Sequence, residues 1–332
     1  MNITIIGAGA IGTMLATRLS NNNKIKLMIK PEHTNLKERK AIILREISGE
    51  ERNINVDFED KVMEADLIII AVKSYDLPPI VNNLAEMKTP IMCCQNGLHS
   101  LNYIKENIEV ERLSYLVTGT GSSKIEPGLS HHKGDGFTYI GELSNKETDI
   151  MKNICDSLTN NNMKCEIVED IGNYIWLKTI INSAINPVAT ISNVKNGELR
   201  EQRLNEYMKN ICKESTKVAL KTGIELPLNP WNEINSIIEK TADNKCSMLQ
   251  DIENNQMTEI DAINGHLTAT GADSSEVVSW SKALGLGPEN FPLITSTKSM
   301  IGHALGAAGA LEVVASMLML DGNFVHPSIN CE

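Results

Sequence analysis

The chain has 332 residues, enough for two domains with cores of their own. Its 31 Lys plus Arg against 42 Asp plus Glu give a formal charge of −11, which argues against a general nucleic-acid or membrane-surface binder and leaves an anionic substrate in need of a local cationic site. The seven Cys (Cys93, Cys94, Cys155, Cys165, Cys212, Cys246 and Cys331) are odd in number and form no C-x-x-C pair, so free thiols are expected rather than a disulfide framework or a zinc site.

Residues 1–6 are apolar and β-branched and predict a buried strand. No basic segment with a long apolar stretch and a small-residue cleavage site opens the chain, and no apolar run is long enough to span a bilayer. The expectation is a soluble, cytoplasmic protein without membrane or nucleic-acid partners. Gly7-Ala8-Gly9-Ala10-Ile11-Gly12 follows the strand, then a helical stretch over 13–20, a turn at 21–23 and a second short strand over 24–30. This is a β-α-β opening unit. Residues 65–72 form a continuous apolar run, read as a strand buried on both faces of a parallel sheet. Residues 90–94 are another, ending at Gln95-Asn96-Gly97. Residues 117–141, rich in Gly, Ser and Thr, predict short antiparallel strands and loops. The Lys and Glu clusters at 35–52 read as solvated surface, and His131-His132 as an exposed loop rather than a metal site.

Helical patterns then take over, at 174–191, 197–222, 230–241 and 247–265, the third with Asn229 as cap and Pro230 at its first position. The boundary between an α/β and an all-α domain is placed at 167.

A glycine triad is a weak signal alone, but here it follows a strand and opens a helix. Gly7 permits the tight turn, Gly9 lets the backbone approach a pyrophosphate, and Gly12 lets helix and strand pack closely. The helix N-terminus then faces the phosphates with free N–H groups. Where NAD-selective folds place an acid at the end of the second strand, this chain has Lys30, a cation suited to the 2′-phosphate of NADP. The bland alternative is a solvated strand-end Lys, and Glu32 weakens the inference. In the helical half, Lys178, Asn182 and Asn186 recur every four residues in an apolar stretch, so they lie along one helix face. A buried Lys between carboxamides is costly unless a substrate carbonyl or carboxylate satisfies it. The alternative is a snorkelling Lys at a wet interface. Pro187 is expected to weaken the helix there and to shape a site. Ser247 and Glu259, twelve residues apart on one predicted helix, fall near the same face, yet on spacing alone both could be ordinary surface residues.

Together these pieces resemble the ketopantoate reductase family. The resemblance covers about residues 1–266 and rests on the N-terminal glycine motif, Ala71-Val72-Lys73, Cys94-Gln95-Asn96-Gly97, Trp176-Leu177-Lys178 with Asn182 and Asn186-Pro187, Ser247-Met248-Leu249-Gln250-Asp251, and Glu259-Ile260-Asp261 with Asn264-Gly265. It implies an α/β fold: a Rossmann NADP-binding domain over 1–167 and an all-α substrate domain over 168–266. It also implies NADPH-dependent reduction of 2-dehydropantoate (ketopantoate) to pantoate, in pantothenate and coenzyme A biosynthesis. By the same resemblance Lys178 is the general acid and Glu259 holds the substrate hydroxyl. Ser247 meets the substrate carboxylate, and Asn96, Asn182 and Asn186 orient substrate and nicotinamide. Lys73 lies near the cofactor, and Lys30 replaces the Arg usual at the 2′-phosphate, keeping charge without the bidentate fork. No metal is implied, and a homodimer is compatible with the reading.

The tail departs from that family. His266, Thr268 and Thr270, then Lys298 and His303, resemble the C-terminal part of β-ketoacyl synthases, so 267–332 is read as an atypical ketosynthase-like fragment behind a truncated helical domain. The nucleophilic Cys segment of that family is absent, and without it no acyl-enzyme forms. Two rival functions stand beside the first: a related NADP-dependent reductase of another 2-keto acid, and a cofactor-binding but inactive fusion whose tail is an interaction module.

Overall fold

The computed structural model describes residues 1–144 and 148–268. The described residues cluster into two compact units, one of residues 1–96 and 100–175, the other of residues 97–99 and 176–268. The elements run β1 (Asn2–Ile6), α1 (Ala10–Leu19), β2 (Lys24–Met28), α2 (Thr34–Arg39), β3 (Ala41–Arg45), β4 (Glu51–Asn55), β5 (Asp57–Glu59), β6 (Leu67–Ile70), α3 (Leu77–Leu84) and β7 (Ile91–Cys93). Then come α4 (Leu98–Asn107), β8 (Leu113–Thr118), β9 (Gly121–Glu126), β10 (Leu129–Gly134), β11 (Thr138–Glu142), α5 (Asp149–Asn160) and β12 (Cys165–Ile167). The expected boundary at 167 falls at the end of β12.

In the first unit an eight-stranded sheet runs β12-β11-β8-β7-β6-β1-β2-β5. It is parallel from β5 through β8, and β11 pairs antiparallel with β8. β6 is buried at all four positions because strands flank it on both sides and its faces are covered. Met14, Leu15 and Leu19 of α1 join Ile3, Ile5, Leu27 and Leu67 in one core.

A second sheet, β4-β3-β10-β9, corrects two expectations. The segment read as solvated surface forms β3 and β4, with Ile42 and Leu44 fully buried. Its charges sit at the ends and on one face of strands whose other face is core. The two His lie in β10 rather than in an exposed loop, and His132 is buried in an ion cluster. There Arg18 of α1, 2% exposed, grips Glu46 with two nitrogens at 2.6 and 2.7 Å. Arg52 Nε lies 2.9 Å from Glu46 Oε1, and His132 Nδ1 lies 3.1 Å from Glu46 Oε2. A bidentate Arg–carboxylate pair with both charges largely buried survives only because each is matched.

Burial by itself would raise the Glu46 carboxyl, but hydrogen bonds from Arg18 and His132 and the charges of Arg18 and Arg52 outweigh it and hold it below the usual carboxylate range. Stability from ionised Glu46 is therefore complete above the unfolded-state value and is lost as pH falls through the lower folded-state value. Denaturant titrations should show the natural protein more stable than Glu46→Gln near neutrality, with the gap narrowing on acidification. A gap that stays constant from neutral to acid pH contradicts this.

The second unit is helical. It holds α6 (Ile171–Ser192) from Trp176 onward, α7 (Gln202–Lys221), α8 (Pro230–Lys240) and α9 (Ser247–Glu253). Ile180, Ala184, Ile185 and Val188 of α6 pack with Leu199, Met208, Ile211, Ile234 and Ile238. Asn229 caps α8 by accepting from Asn232 N–H at 3.0 Å, with Pro230 at the first position. α6 continues through the buried Pro187 to Ser192, so the expected weakening does not end the helix. The helix expected over 247–265 is interrupted. α9 stops at Glu253, Asn255 adopts φ +53°, and a π-type turn (Asp261–Gly265) follows. The Asn-Asn-Gln run explains the break, since Asn side chains compete with helical hydrogen bonds and tolerate the left-handed region. Ser247 and Glu259 therefore do not share a helix face. Among the described residues no helix is long and apolar enough to cross a membrane, and no group of three or more His, Cys, Asp or Glu could hold a metal ion.

Candidate active site

In the first unit the glycine turn links β1 to α1. Gly7 has φ +111°, and a methyl at Gly12 would overlap the Gly7 carbonyl oxygen, so turn and helix can close only without side chains. Gly9, by contrast, faces open space: a Cβ there would meet nothing within 4 Å. Gly9 is also the N-cap of α1 and offers no side-chain cap, so the first-turn N–H groups are left for partners outside the helix. A cradle that a side chain would fill, at an uncapped helix start, fits a pyrophosphate. The small sheet braces this turn from behind: Gly128 N–H donates to Ala8 O at 3.0 Å and Ser122 Oγ to Ala10 O at 3.2 Å.

Lys30 follows β2 and is exposed, with Nζ 3.3 Å from Asp76. Asp76 is a residue the sequence reading missed, because its partner lies across a neighbouring loop. Lys73 is half-buried just after β6, at the head of a short turn (Ser74–Asp76). Gln95, buried after β7, donates from its side-chain Nε2 to Ile70 O at 2.8 Å and Val72 O at 3.2 Å, while its backbone carbonyl accepts from Tyr115 Oη at 3.0 Å. These bonds pin the carboxyl ends of β6 and β7, the edge where open α/β sheets bind ligands. The half-buried Asn96 follows directly.

In the second unit Lys178, Asn182 and Asn186 run along one side of α6. Lys178 and Asn182 are half-buried and Asn186 is 4% exposed, among core neighbours Leu177, Ile180, Ile181 and Ile185. The polar line thus edges a packed helix rather than facing open water. Ser247 is exposed at the first position of α9, whose cap is Cys246. Glu259 is 5% exposed, a buried carboxylate of the kind that needs a matching partner.

Two further residues fix that end of the unit. Asn264 Nδ2 donates to Ser183 O of α6 at 3.0 Å, tying the π-type turn to the helix that carries Lys178. Gly97 lies against the same turn with φ +83°, where a methyl would run into the Ala262 carbonyl. Asn264 and Gly97 stood in the quoted motifs without a role, since neither contact leaves a local pattern. Burial raises the Asp261 carboxyl against the opposing charge of His99, and burial with His99 lowers His266.

A mostly parallel sheet with a glycine turn feeding an open helix start, together with a helical unit bearing the Lys–Asn–Asn line, gives the chain an α/β architecture suited to a dinucleotide. A model described as ketopantoate reductase PanE/ApbA matches residues 3–145, and one for the C-terminal part of the same reductase matches 170–279. The 2-dehydropantoate 2-reductase of Pyrococcus horikoshii is 31% identical over 274 residues, covering 80% of this chain and 89% of that one. That of Archaeoglobus fulgidus is 29% identical, covering 82% and 91%. The chain belongs to the ketopantoate reductase family.

Solved structures show the same fold. D-mandelate dehydrogenase with NADH and anilino(oxo)acetate gives a TM-score of 0.75 at 22% identity, covering 98% of this chain and 100% of that one. A PanE/ApbA family ketopantoate reductase from Ralstonia eutropha gives 0.73 at 21%, covering 96% and 99%. A model described as the β-ketoacyl synthase C-terminal domain matches residues 236–332. It begins upstream of the junction expected at 267 and overlaps the reductase match. Thr270, Lys298 and His303 lie outside the described residues.

Proposed function

We propose that the chain reduces 2-dehydropantoate to pantoate with NADPH. The observation that carries this is the Lys178–Asn182–Asn186 line on α6, an amine and two carboxamides held at the edge of a packed core. The family membership and the reductases named among its relatives support it. The dinucleotide, when bound, supplies the hydride.

The residues of this chain do the rest. The glycine cradle and the start of α1 take the pyrophosphate, with Lys73 beside the cofactor and Lys30 on the 2′-phosphate. Lys178 donates a proton to the keto oxygen as the carbon is reduced, and its ammonium stabilises the developing alkoxide. Glu259 accepts a hydrogen bond from the substrate hydroxyl, Ser247 donates one to the substrate carboxylate, and Asn96, Asn182 and Asn186 orient the reactants.

Glu259→Gln should raise the KM for ketopantoate by roughly 10- to 100-fold, the worth of a hydrogen bond to a charged group, and leave the KM for 2-ketoisovalerate, which lacks the hydroxyl, nearly unchanged. Equal effects on both substrates contradict the role. The Lys30–Asp76 pair is exposed, and such pairs are weak, so a 2′-phosphate can take Lys30 over. Lys30→Ala should erode the preference for NADPH over NADH, and Asp76→Asn should sharpen it. Unchanged ratios in both variants mean that the 2′-phosphate is read elsewhere.

The likeness to D-mandelate dehydrogenase favours a second reading, reduction of a 2-keto acid with another substituent. A site fitted to the ketopantoate hydroxyl discriminates strongly against analogues without it, so kcat/KM for ketopantoate against 2-ketoisovalerate and phenylglyoxylate separates the two.

A further inference from the structure

Cys155 lies in α5 and Cys165 opens β12, the strand at the edge of the large sheet. The chain reverses between them, with Met163 N–H bonded to Leu158 O at 3.0 Å. From that bond Cys165 lies two residues on, about 6.6 Å along an extended chain. Cys155 lies three residues before Leu158, about 4.5 Å back along α5 at 1.5 Å per residue, and α5 packs against β12. The backbone thus places the two residues at nearly the same level of neighbouring elements. Both are free thiols, neither is fully buried, and both pack against the same core. Burial pushes the Cys165 thiol up, and Cys155 pushes it further through its charge and a side-chain hydrogen bond. Among the other described Cys, Cys93 is fully enclosed, and burial raises its thiol.

We propose that Cys155 and Cys165 form an oxidisable dithiol that closes to a disulfide by exchange with a low-molecular-weight disulfide such as oxidised glutathione. The Cys155 thiolate attacks one sulfur of the reagent. The reagent's S–S bond breaks, and one thiol leaves with the proton. Cys165 then attacks Cys155 Sγ as its thiolate and breaks the mixed disulfide, and the second reagent sulfur leaves and takes up the proton that Cys165 gave up. Two protein thiols are oxidised by two electrons, and one reagent disulfide becomes two thiols. The bond staples edge strand β12 to α5.

The test is oxidation of the full-length protein with oxidised glutathione, read by intact mass, alkylation of remaining thiols and peptide mapping. The expected product has lost two hydrogens and yields a Cys155–Cys165 cross-linked peptide. Cys165→Ser should stop at a glutathione adduct on Cys155, and Cys155→Ser should leave Cys165 unmodified over the same time. The proposal is overturned if both thiols of the natural protein stay alkylatable, if a stable adduct persists on either, or if the cross-link joins other cysteines.

Discussion

Lys178→Ala should lower kcat by roughly a hundred- to ten-thousand-fold, the range for loss of a positioned general acid. The stem of Lys178 rises from a packed stretch in which Leu177, Thr179 and Ile180 are buried, while the residue itself is half-buried. Such packing holds the amine in place, so truncation removes both a proton and a fixed positive charge from the carbonyl. Cofactor affinity should change little, because the glycine cradle, Lys30 and Lys73 belong to the other unit. Lys178→Arg separates the two contributions. A guanidinium keeps the charge but does not release a proton near neutrality, so turnover should stay low while ketopantoate binding recovers. Steady-state kinetics with NADPH titrations read both effects, and turnover of Lys178→Ala equal to that of the natural protein removes Lys178 from the chemistry.

Gly97→Ala should destabilise the protein by about 2–5 kcal/mol, summing the left-handed backbone with a side chain and overpacking against fixed neighbours. The position has φ +83°, and the methyl would meet the Ala262 carbonyl and come within 3.0 Å of Ile263 N. Backbone atoms cannot swing away as a flexible side chain can. The turn displaced is the one that follows Glu259 and is anchored by Asn264 to Ser183 O. The expected result is therefore a lower Tm together with a raised KM for ketopantoate. An unchanged Tm and KM would mean that the turn does not rest on Gly97.

The opening β-α-β unit was legible because its signals are local: β-branched strands, a glycine turn and a helix within the first thirty residues. The line of Lys178, Asn182 and Asn186 was legible for the same reason, since a four-residue repeat is a helix face wherever the helix packs. The small sheet was not. Charges between Lys37 and Arg52 mask the short apolar pattern of Ala41, Ile42 and Leu44, and the ion cluster that anchors it joins Arg18, Glu46 and His132 from distant parts of the chain. The break after α9 was hidden because apolar spacing continues past an Asn pair whose backbone preference decides the outcome. Asp76 beside Lys30 and Gln95 across two strand ends are tertiary contacts with no period to reveal them.

The most direct test is oxidation of NADPH by the purified full-length chain with ketopantoate, with NADH run in parallel. The proposed activity entails ketopantoate-dependent turnover that is faster with NADPH and is abolished or nearly so in Lys178→Ala. A protein that binds NADPH yet turns over no ketopantoate, or that prefers phenylglyoxylate or 2-ketoisovalerate, would contradict it.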